Sequence, residues 1–466
     1  MAVKTVAYLS GGYPRVTDAF ITREIAGVEA CGITVERFAV RAPDDDKMTG
    51  PEQRRERDLT TYLLGGSKAE LATAVVRAAI RSPKRFVSAA KLALHTRRVG
   101  VEGSVRHVAY FVEAAVLAGH LRARKVDHLH NHFSDSSCTV AMLASELSGV
   151  PYSFTIHGPA IFFEPREWSL ETKMSTVAFC AAISAFAKAQ ASIYCDPSRW
   201  DLIHVVHCGV DDLRPAADER DPERLELLFV GRLEPVKGIA VLLESVGKLV
   251  AAGRNVRLTV AGDGALRSDL ERRAASLGDA VRFVGYRSQP EIRQHLAESD
   301  ALVLPSFAEG VPVSLMEAMS QERAVVATSV GGVTELVKHG VNGLVVHPGD
   351  PIALADALTT YRVEAIAWTS HHLPLRAGDV IRVASVRAAR SVGLQRREEA
   401  RQRAVVRRQL HRHGLAVQCH PGRAPGRAEG ARRAGRSPRL GGHAEQVARQ
   451  LAVAVQVLEQ RQRHLA

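Results

Sequence analysis

The chain has 466 residues, 46% hydrophobic and 24% charged: the composition of a globular protein, and a length beyond what one hydrophobic core usually supports. The formal net charge of +12 is unevenly spread, because residues 361–466 hold 21 Arg, no Lys, six Glu and one Asp, a net of +14 that leaves the first 360 residues at −2. The body of the chain therefore lacks the basic signature of a nucleic-acid binder, and nucleic acid is excluded as its expected partner.

The six cysteines (Cys31, Cys138, Cys180, Cys195, Cys208 and Cys419) are widely separated, with no C-x-x-C pair and no Cys/His group at zinc spacing. This usage fits a reducing compartment without structural metal. Met1 to Lys4 run directly into a strand-like stretch, leaving no room for an apolar signal core, and the apolar run Val108 to Ala118 is short and contains Glu113. The expectation is a cytoplasmic protein, at most peripheral to the inner face of the cell membrane.

Apolar runs in the first half predict strands near 3–9, 33–40, 126–130, 152–156, 179–183 and 203–206, with a long helical insertion over 67–124. A polar stretch with Pro215 and Pro222 over 211–224 reads as a linker. From 225 to 350, strands near 225–230, 256–260, 281–284, 301–305, 324–328 and 343–346 alternate with helices near 236–251, 265–277, 290–298, 313–321 and 332–338. Strict alternation means α/β architecture with parallel sheets. The expected domains are 1–210, the linker 211–224, a second domain over 225–360, and the Arg-rich tail 361–466.

In open α/β sheets ligands bind beyond the carboxyl ends of the strands, so the residues that follow strands carry the chemistry. After the first strand come Gly11 and Gly12, which leave space for backbone to approach a phosphate or sugar. HLHNHF places His128, His130 and His132 on one face of a strand; Asp127 and Asp135 flank it, but the pattern matches no recognised ligand spacing and favours structural and acceptor-side roles over metal. His157 follows the strand 152–156, where it would hydrogen-bond a sugar. Arg232 and Lys237 lie in the turn GRLEPVKG, two cations suited to a departing diphosphate. Gly262 in AGDG is a further donor-binding candidate, whereas Asp263 beside it and the pair Gly331 and Gly332 read as strand-end turns.

SFAEGVPVSLMEAM places Glu309 in a loop and Glu317 just inside a helix, with seven residues between them and Pro312 in the first helical turn. The free amides near Val313, Ser314 and Leu315 would offer a diphosphate the positive end of the helix dipole. Any one of these charges alone is ordinarily a solvated surface group; their combination points to a nucleotide diphosphate. Because Lys237 and Glu309 are both read as loop residues, replacing either is expected to abolish activity and spare the fold.

These features together resemble glycosyltransferase family 4 of the GT-B fold, of the bacterial exopolysaccharide and colanic-acid type. The resemblance spans roughly 3–358 and is densest in FVGRLEPVKG, VAGDG, FVGY, LPSFAEGVPVSLMEAM, VGGVTELV and GVNGLVVHPGD, with SGGYP, HLHNHF and TIHG in the first half. It implies two Rossmann-like doubly wound domains facing across a cleft, and a retaining, metal-independent hexosyltransferase with no cofactor beyond the nucleotide diphosphate sugar it consumes. By that likeness Arg232 and Lys237 bind the diphosphate, Glu309 and His157 the donor sugar, Glu317 the ribose, Gly12 lies near the phosphate and Phe283 to Tyr286 by the base. The implied acceptor is a saccharide, lipid-linked, in surface polysaccharide synthesis. The alternative is a non-catalytic nucleotide-sugar-binding protein or truncated pseudo-enzyme of the same fold.

Two further expectations concern segments outside these motifs. Between 77 and 107 the cations Arg77, Arg81, Lys84, Arg85, Lys91, Arg97, Arg98 and Arg106 lie among apolar residues, a pattern suited to an anionic membrane as well as to a solvated helix face. Beyond 360 the composition changes abruptly and nothing matches the family's closing helices. The tail reads as low-complexity and disordered, as a shifted coding frame would produce; the alternative is a genuine basic extension that binds nucleic acid or an anionic membrane.

Overall fold

The computed structural model describes residues 3–43, 50–98, 100–210, 224–363, 366–368 and 386–388. The expected linker is outside the described residues except for Arg224, as is the expected tail except for 361–363 and two three-residue strands. The first half holds strands β1 (Thr5–Gly12), β2 (Thr34–Arg41), β3 (Thr60–Tyr62), β4 (His128–His132), β5 (Tyr152–Ile156), β6 (Phe179–Ala182) and β7 (Ile203–Val205). Its helices are α1 (Ala19–Ala30), α2 (Pro51–Leu59), α3 (Lys68–Arg81), α4 (Pro83–His95), α5 (Val101–Ala123), α6 (Ser136–Ser148), α7 (Leu170–Thr176) and α8 (Ala185–Ile193). The second half holds β8 (Leu225–Val230), β9 (Val256–Ala261), β10 (Val281–Gly285), β11 (Ala301–Leu304), β12 (Ala324–Thr328) and β13 (Leu344–Val346). Between and after them run α9 (Ile239–Ala251), α10 (Arg267–Ala274), α11 (Gln289–Glu298), α12 (Val313–Ser320), α13 (Val333–Leu336) and α14 (Pro351–Val363).

Two large sheets result, ordered β3-β2-β1-β4-β5-β6-β7 and β10-β9-β8-β11-β12-β13, with every pair of neighbours parallel, while the two short strands 366–368 and 386–388 pair antiparallel with each other. In each sheet the strand order reverses beside the first strand, between β1 and β4 and between β8 and β11, and that reversal opens the crevice where open α/β sheets take ligands. Strand alternation explains how β1 serves two cores. Val6 and Tyr8 pack with Ile21, Ile25 and Val28 of α1, whereas Ala7 and Leu9 face the opposite layer with Leu117 and Leu121 of α5 and Met142 of α6. Each fully buried leucine there contributes about 2 kcal/mol.

β3 and α2 are absent from the sequence expectation. β3 is three residues of Thr-Thr-Tyr at the sheet edge, too short and too polar for an apolar run to mark. The insertion folds as α3, α4 and α5, and Ser67 begins it with a capping box closed by Glu70. The helix expected from 236 starts at Ile239, because Pro235–Lys237 form a 3-10 turn instead. No helix among the described residues is long and apolar enough to cross a membrane.

Candidate functional site

Lys237 and Glu309 meet because β8 and β11 are neighbours at the switch point. After β8 the chain passes through the 3-10 turn to Gly238, whose φ is +64°; a Cβ there would stand 2.1 Å from the carbonyl oxygen of Pro305, so only glycine lets the two loops close on one another. The Phe307 amide donates to the Val236 carbonyl at 2.8 Å and ties them. Lys237 Nζ lies 2.7 Å from Glu309 Oε1, and Ser306 Oγ donates to the same oxygen at 2.6 Å. Glu309 lies in a loop as expected but is buried there, so the pair also ties the two loops together, a structural role that the expectation of a spared fold leaves out.

Pro312 precedes α12 as its N-cap rather than occupying the first turn, and it makes no side-chain cap. The amides of Val313, Ser314 and Leu315 therefore point out of the helix start with no intrahelical acceptor. Leu315 is fully buried and holds this turn against the core, while Ser314 stays half-buried. One turn further on, buried Glu317 accepts from Arg23 of α1 at 2.8 Å, and the same guanidinium reaches Gln289 at 3.2 Å. The ribose-binding candidate is thus engaged by the first domain. Arg232 is exposed and pairs with Glu234 at 2.7 Å. Gly262 donates to Gly285 at 2.8 Å and closes the adjoining strand ends, as a structural turn would. Gly11 and Gly12 are the last residues of β1, not a turn after it, and the nearest atom to a Cβ on either lies 3.8 Å or more away.

Across the cleft, His157 sits at the end of β5 and packs against Phe20, with ring centroids 4.6 Å apart. A Cβ on Gly310, next to Glu309, would lie 2.7 Å from the His157 carbonyl oxygen, so the two domains touch where the two sugar-binding candidates converge. A second joint forms where Glu335 of α13 accepts from the amides of Ala185 and Phe186 at 2.8 and 2.7 Å, capping the start of α8.

The HLHNHF histidines form a buried polar layer. Ser153 Oγ meets His128 Nε2 at 2.6 Å and His130 Nδ1 at 2.7 Å, Thr155 Oγ1 meets His130 Nε2 at 2.8 Å, and His132 Nδ1 meets His157 Nε2 at 2.9 Å. Burial pushes His128 down to about 4 and His130 and His157 down to about 3, so at neutral pH these rings are uncharged hydrogen-bonding groups. Glu24, whose Oε1 accepts from Tyr8 at 2.8 Å and lies 3.9 Å from His132 Nε2, is raised to about 7 by the same burial.

Candidate ligand atoms of Glu24, His130 and His132 all fall within 4.8 Å of one another. Both nitrogens of His130 are already bonded to hydroxyls, whereas the buried Nε2 of His132 has no hydrogen-bond partner among the described residues. Asp127 and Asp135 do not join the group. Asp127 accepts from the amides of Lys4 and Thr5, and Asp135 caps α6. Sequence reasoning missed Glu24, Arg23, Ser306 and Glu335 as partners. Ser306 and Glu335 had a signal, their places inside the Glu309 motif and inside VGGVTELV.

Two doubly wound parallel sheets meeting through loops at their strand ends are the GT-B architecture. Residues 74–214 match the family profile "Glycosyltransferase Family 4" and residues 224–361 match "Glycosyl transferases group 1". The chain belongs to glycosyltransferase family 4 of the GT-B fold.

Among similar proteins, the amylovoran biosynthesis glycosyltransferase AmsK of Erwinia amylovora is 36% identical over 168 residues, 34% of this chain and 41% of AmsK. The alpha-D-kanosaminyltransferase of Streptomyces kanamyceticus is 28% identical over 255 residues, 50% of this chain and 66% of that one. The chain thus spans between 41% and 66% of the length of these curated relatives. Among solved structures, Anabaena HepE in complex with UDP and glucose has a TM-score of 0.57 at 17% identity, over 77% of this chain and 89% of HepE. Sucrose-phosphate synthase from Thermosynechococcus elongatus has the same TM-score and identity over 77% of this chain and 90% of its own. At such identity these two structures speak for the fold alone.

Proposed function

We propose that the protein is a retaining hexosyltransferase that moves a sugar from a nucleotide diphosphate donor to a saccharide acceptor, lipid-linked, in surface polysaccharide synthesis. The observation that carries this reading is the convergence of Lys237, Glu309 and the α12 amides at one switch point, with the His157 backbone lying against Gly310 from the other domain.

In this reading the diphosphate lies on the amides of Val313, Ser314 and Leu315, with Lys237 and Arg232 compensating the charge that develops as it leaves. Glu309 accepts hydrogen bonds from the sugar hydroxyls, and neutral His157 bonds the sugar from the opposite wall. The acceptor hydroxyl forms its bond to the anomeric carbon on the face from which the diphosphate departs, and its proton passes to the leaving diphosphate oxygen. Nothing in this sequence of events calls for a metal or a cofactor. Glu317 takes the ribose hydroxyls, so Arg23 must yield that carboxylate as the donor seats.

Similarity to AmsK, and to the "Putative teichuronic acid biosynthesis glycosyltransferase TuaC" of Bacillus subtilis at 29% identity over 254 residues, supports the polysaccharide context. The test is nucleotide diphosphate release from UDP, GDP and ADP sugars with chelator present, and the anomeric configuration of the product by NMR. Binding of a donor without release in the presence of acceptor saccharides would overturn catalysis in favour of a donor-binding protein. An inverted product would overturn retention alone.

A further inference from the structure

The helices α3, α4 and the start of α5 carry an outward face that neither the cleft nor the core uses. Val76 and Ile80 stand on α3 beside Arg77 and Arg81, all exposed, while the opposite side of that helix buries Ala78. On α4, Lys84, Val87, Lys91 and Leu94 fall within one helical stripe, opposite buried Ala89 and Ala93. Val101 and Val105 extend the exposed apolar surface onto α5. Ile80 is 76% exposed, Leu94 65% and Val101 83%, unusual values for large apolar side chains gathered on neighbouring helices.

Over residues 68–108 there are nine Lys and Arg against two Glu, a net of +7 on a body whose first 360 residues net −2. Four of these cations are committed locally: Arg98 pairs with Glu167 and lies over Trp168, Arg106 pairs with Glu102, Arg85 donates to the Glu146 carbonyl and Arg97 to the Ser104 hydroxyl. Arg77, Arg81, Lys84 and Lys91 have no carboxylate partner among the described residues.

We propose that this face docks on an anionic lipid surface, its cations on the head groups and its apolar side chains among the upper acyl carbons. Charge selects the occupant. Residues 361–466, at +14, and a second copy of the same face would both be repelled. Apolar side chains on all three helices, with no exposed large aromatic among them, do not suit a nucleic-acid backbone. The proposal does not depend on the transferase reading, because vesicle binding and donor turnover are read separately.

The experiment is cosedimentation of the full chain with phosphatidylcholine vesicles and with vesicles that also contain phosphatidylglycerol, at about 0.1 M salt. The full chain is expected to sediment with the second kind and not the first. Arg77→Glu/Arg81→Glu/Lys84→Glu/Lys91→Glu weakens partition by about fivefold for each cation removed. Ile80→Ser/Val87→Ser/Leu94→Ser weakens it by about tenfold or more with the charge intact. All these side chains are exposed, so circular dichroism and donor turnover serve as controls for folding. Anionic vesicle binding that survives the fourfold charge reversal would assign it to residues 361–466 and overturn the proposal, as would indifference of the parent chain to vesicle charge.

Discussion

The Lys237–Glu309 pair makes a prediction in which stability and chemistry separate. Lys237→Met leaves a buried carboxylate with Ser306 as its remaining side-chain partner. Loss of one member of a fully buried pair costs about 3–5 kcal/mol, and the exposures here, 18% for the Lys237 side chain and 9% for that of Glu309, reduce the expected cost to about 2 kcal/mol. Glu309→Gln in the same chain removes the stranded charge while keeping an amide for the Ser306 hydroxyl to bond. The double variant is therefore expected within about 1 kcal/mol of the parent, a coupling of about 1–2 kcal/mol. Turnover should behave otherwise, falling by about a hundredfold or more in each single variant and staying low in the double, because the cation proposed to face the diphosphate is still missing. Urea unfolding gives the first quantity and nucleotide diphosphate release the second. A coupling below about 0.5 kcal/mol, or a double variant that regains turnover, would refute the argument.

Glu335→Gln removes the charge and, because a carboxamide has one acceptor oxygen, sets its NH2 against one of the two amides that Glu335 accepts from, so the domains should separate more readily, seen as a larger radius of gyration in small-angle scattering with each domain's near-ultraviolet signal unchanged. Gly238→Ala forces a side chain into +64° backbone and against Pro305, and is expected to cost about 2–4 kcal/mol and to disorder the Lys237 turn, read as lost donor binding by calorimetry. Glu24 is raised from 4.5 to about 7, so its ionisation opposes folding as pH rises through that window. Glu24→Gln should therefore stabilise the protein by about 1–2 kcal/mol at pH 8 and leave it unchanged near pH 4.5; equal effects at both would contradict the assignment. His128, His130 and His157 act in the opposite sense. Held neutral by burial, they favour the folded state above about 6.5 and lose that contribution as acid drives protonation of the unfolded chain, a trend that urea midpoints measured from pH 7 to 5 would show.

The second sheet was legible almost strand for strand, because runs such as ALVL at 301–304 are wholly buried and bounded by turn residues. Thr60–Tyr62 was not, since an edge strand that short is defined by its partner and not by its own pattern. Glu309, Lys237 and His157 stood out by following strands, and Glu317 by its spacing from Glu309. What they touch did not: Arg23 and Glu317 are 294 positions apart, and no local spacing announces that α1 lies across α12. His128 and His130 were legible as one face of a strand, but the Ser153 and Thr155 hydroxyls that satisfy them come from a neighbouring strand.

The joint between Glu335 and α8 has an evolutionary consequence. One side of it is a carboxylate; the other is two backbone amides, present whatever residues stand at 185 and 186, proline excepted. The receiving helix can therefore drift in sequence at those two positions without loosening the hinge, while position 335 tolerates few replacements. A deep mutational scan should show that asymmetry as a lone intolerant column at 335 facing a permissive pair.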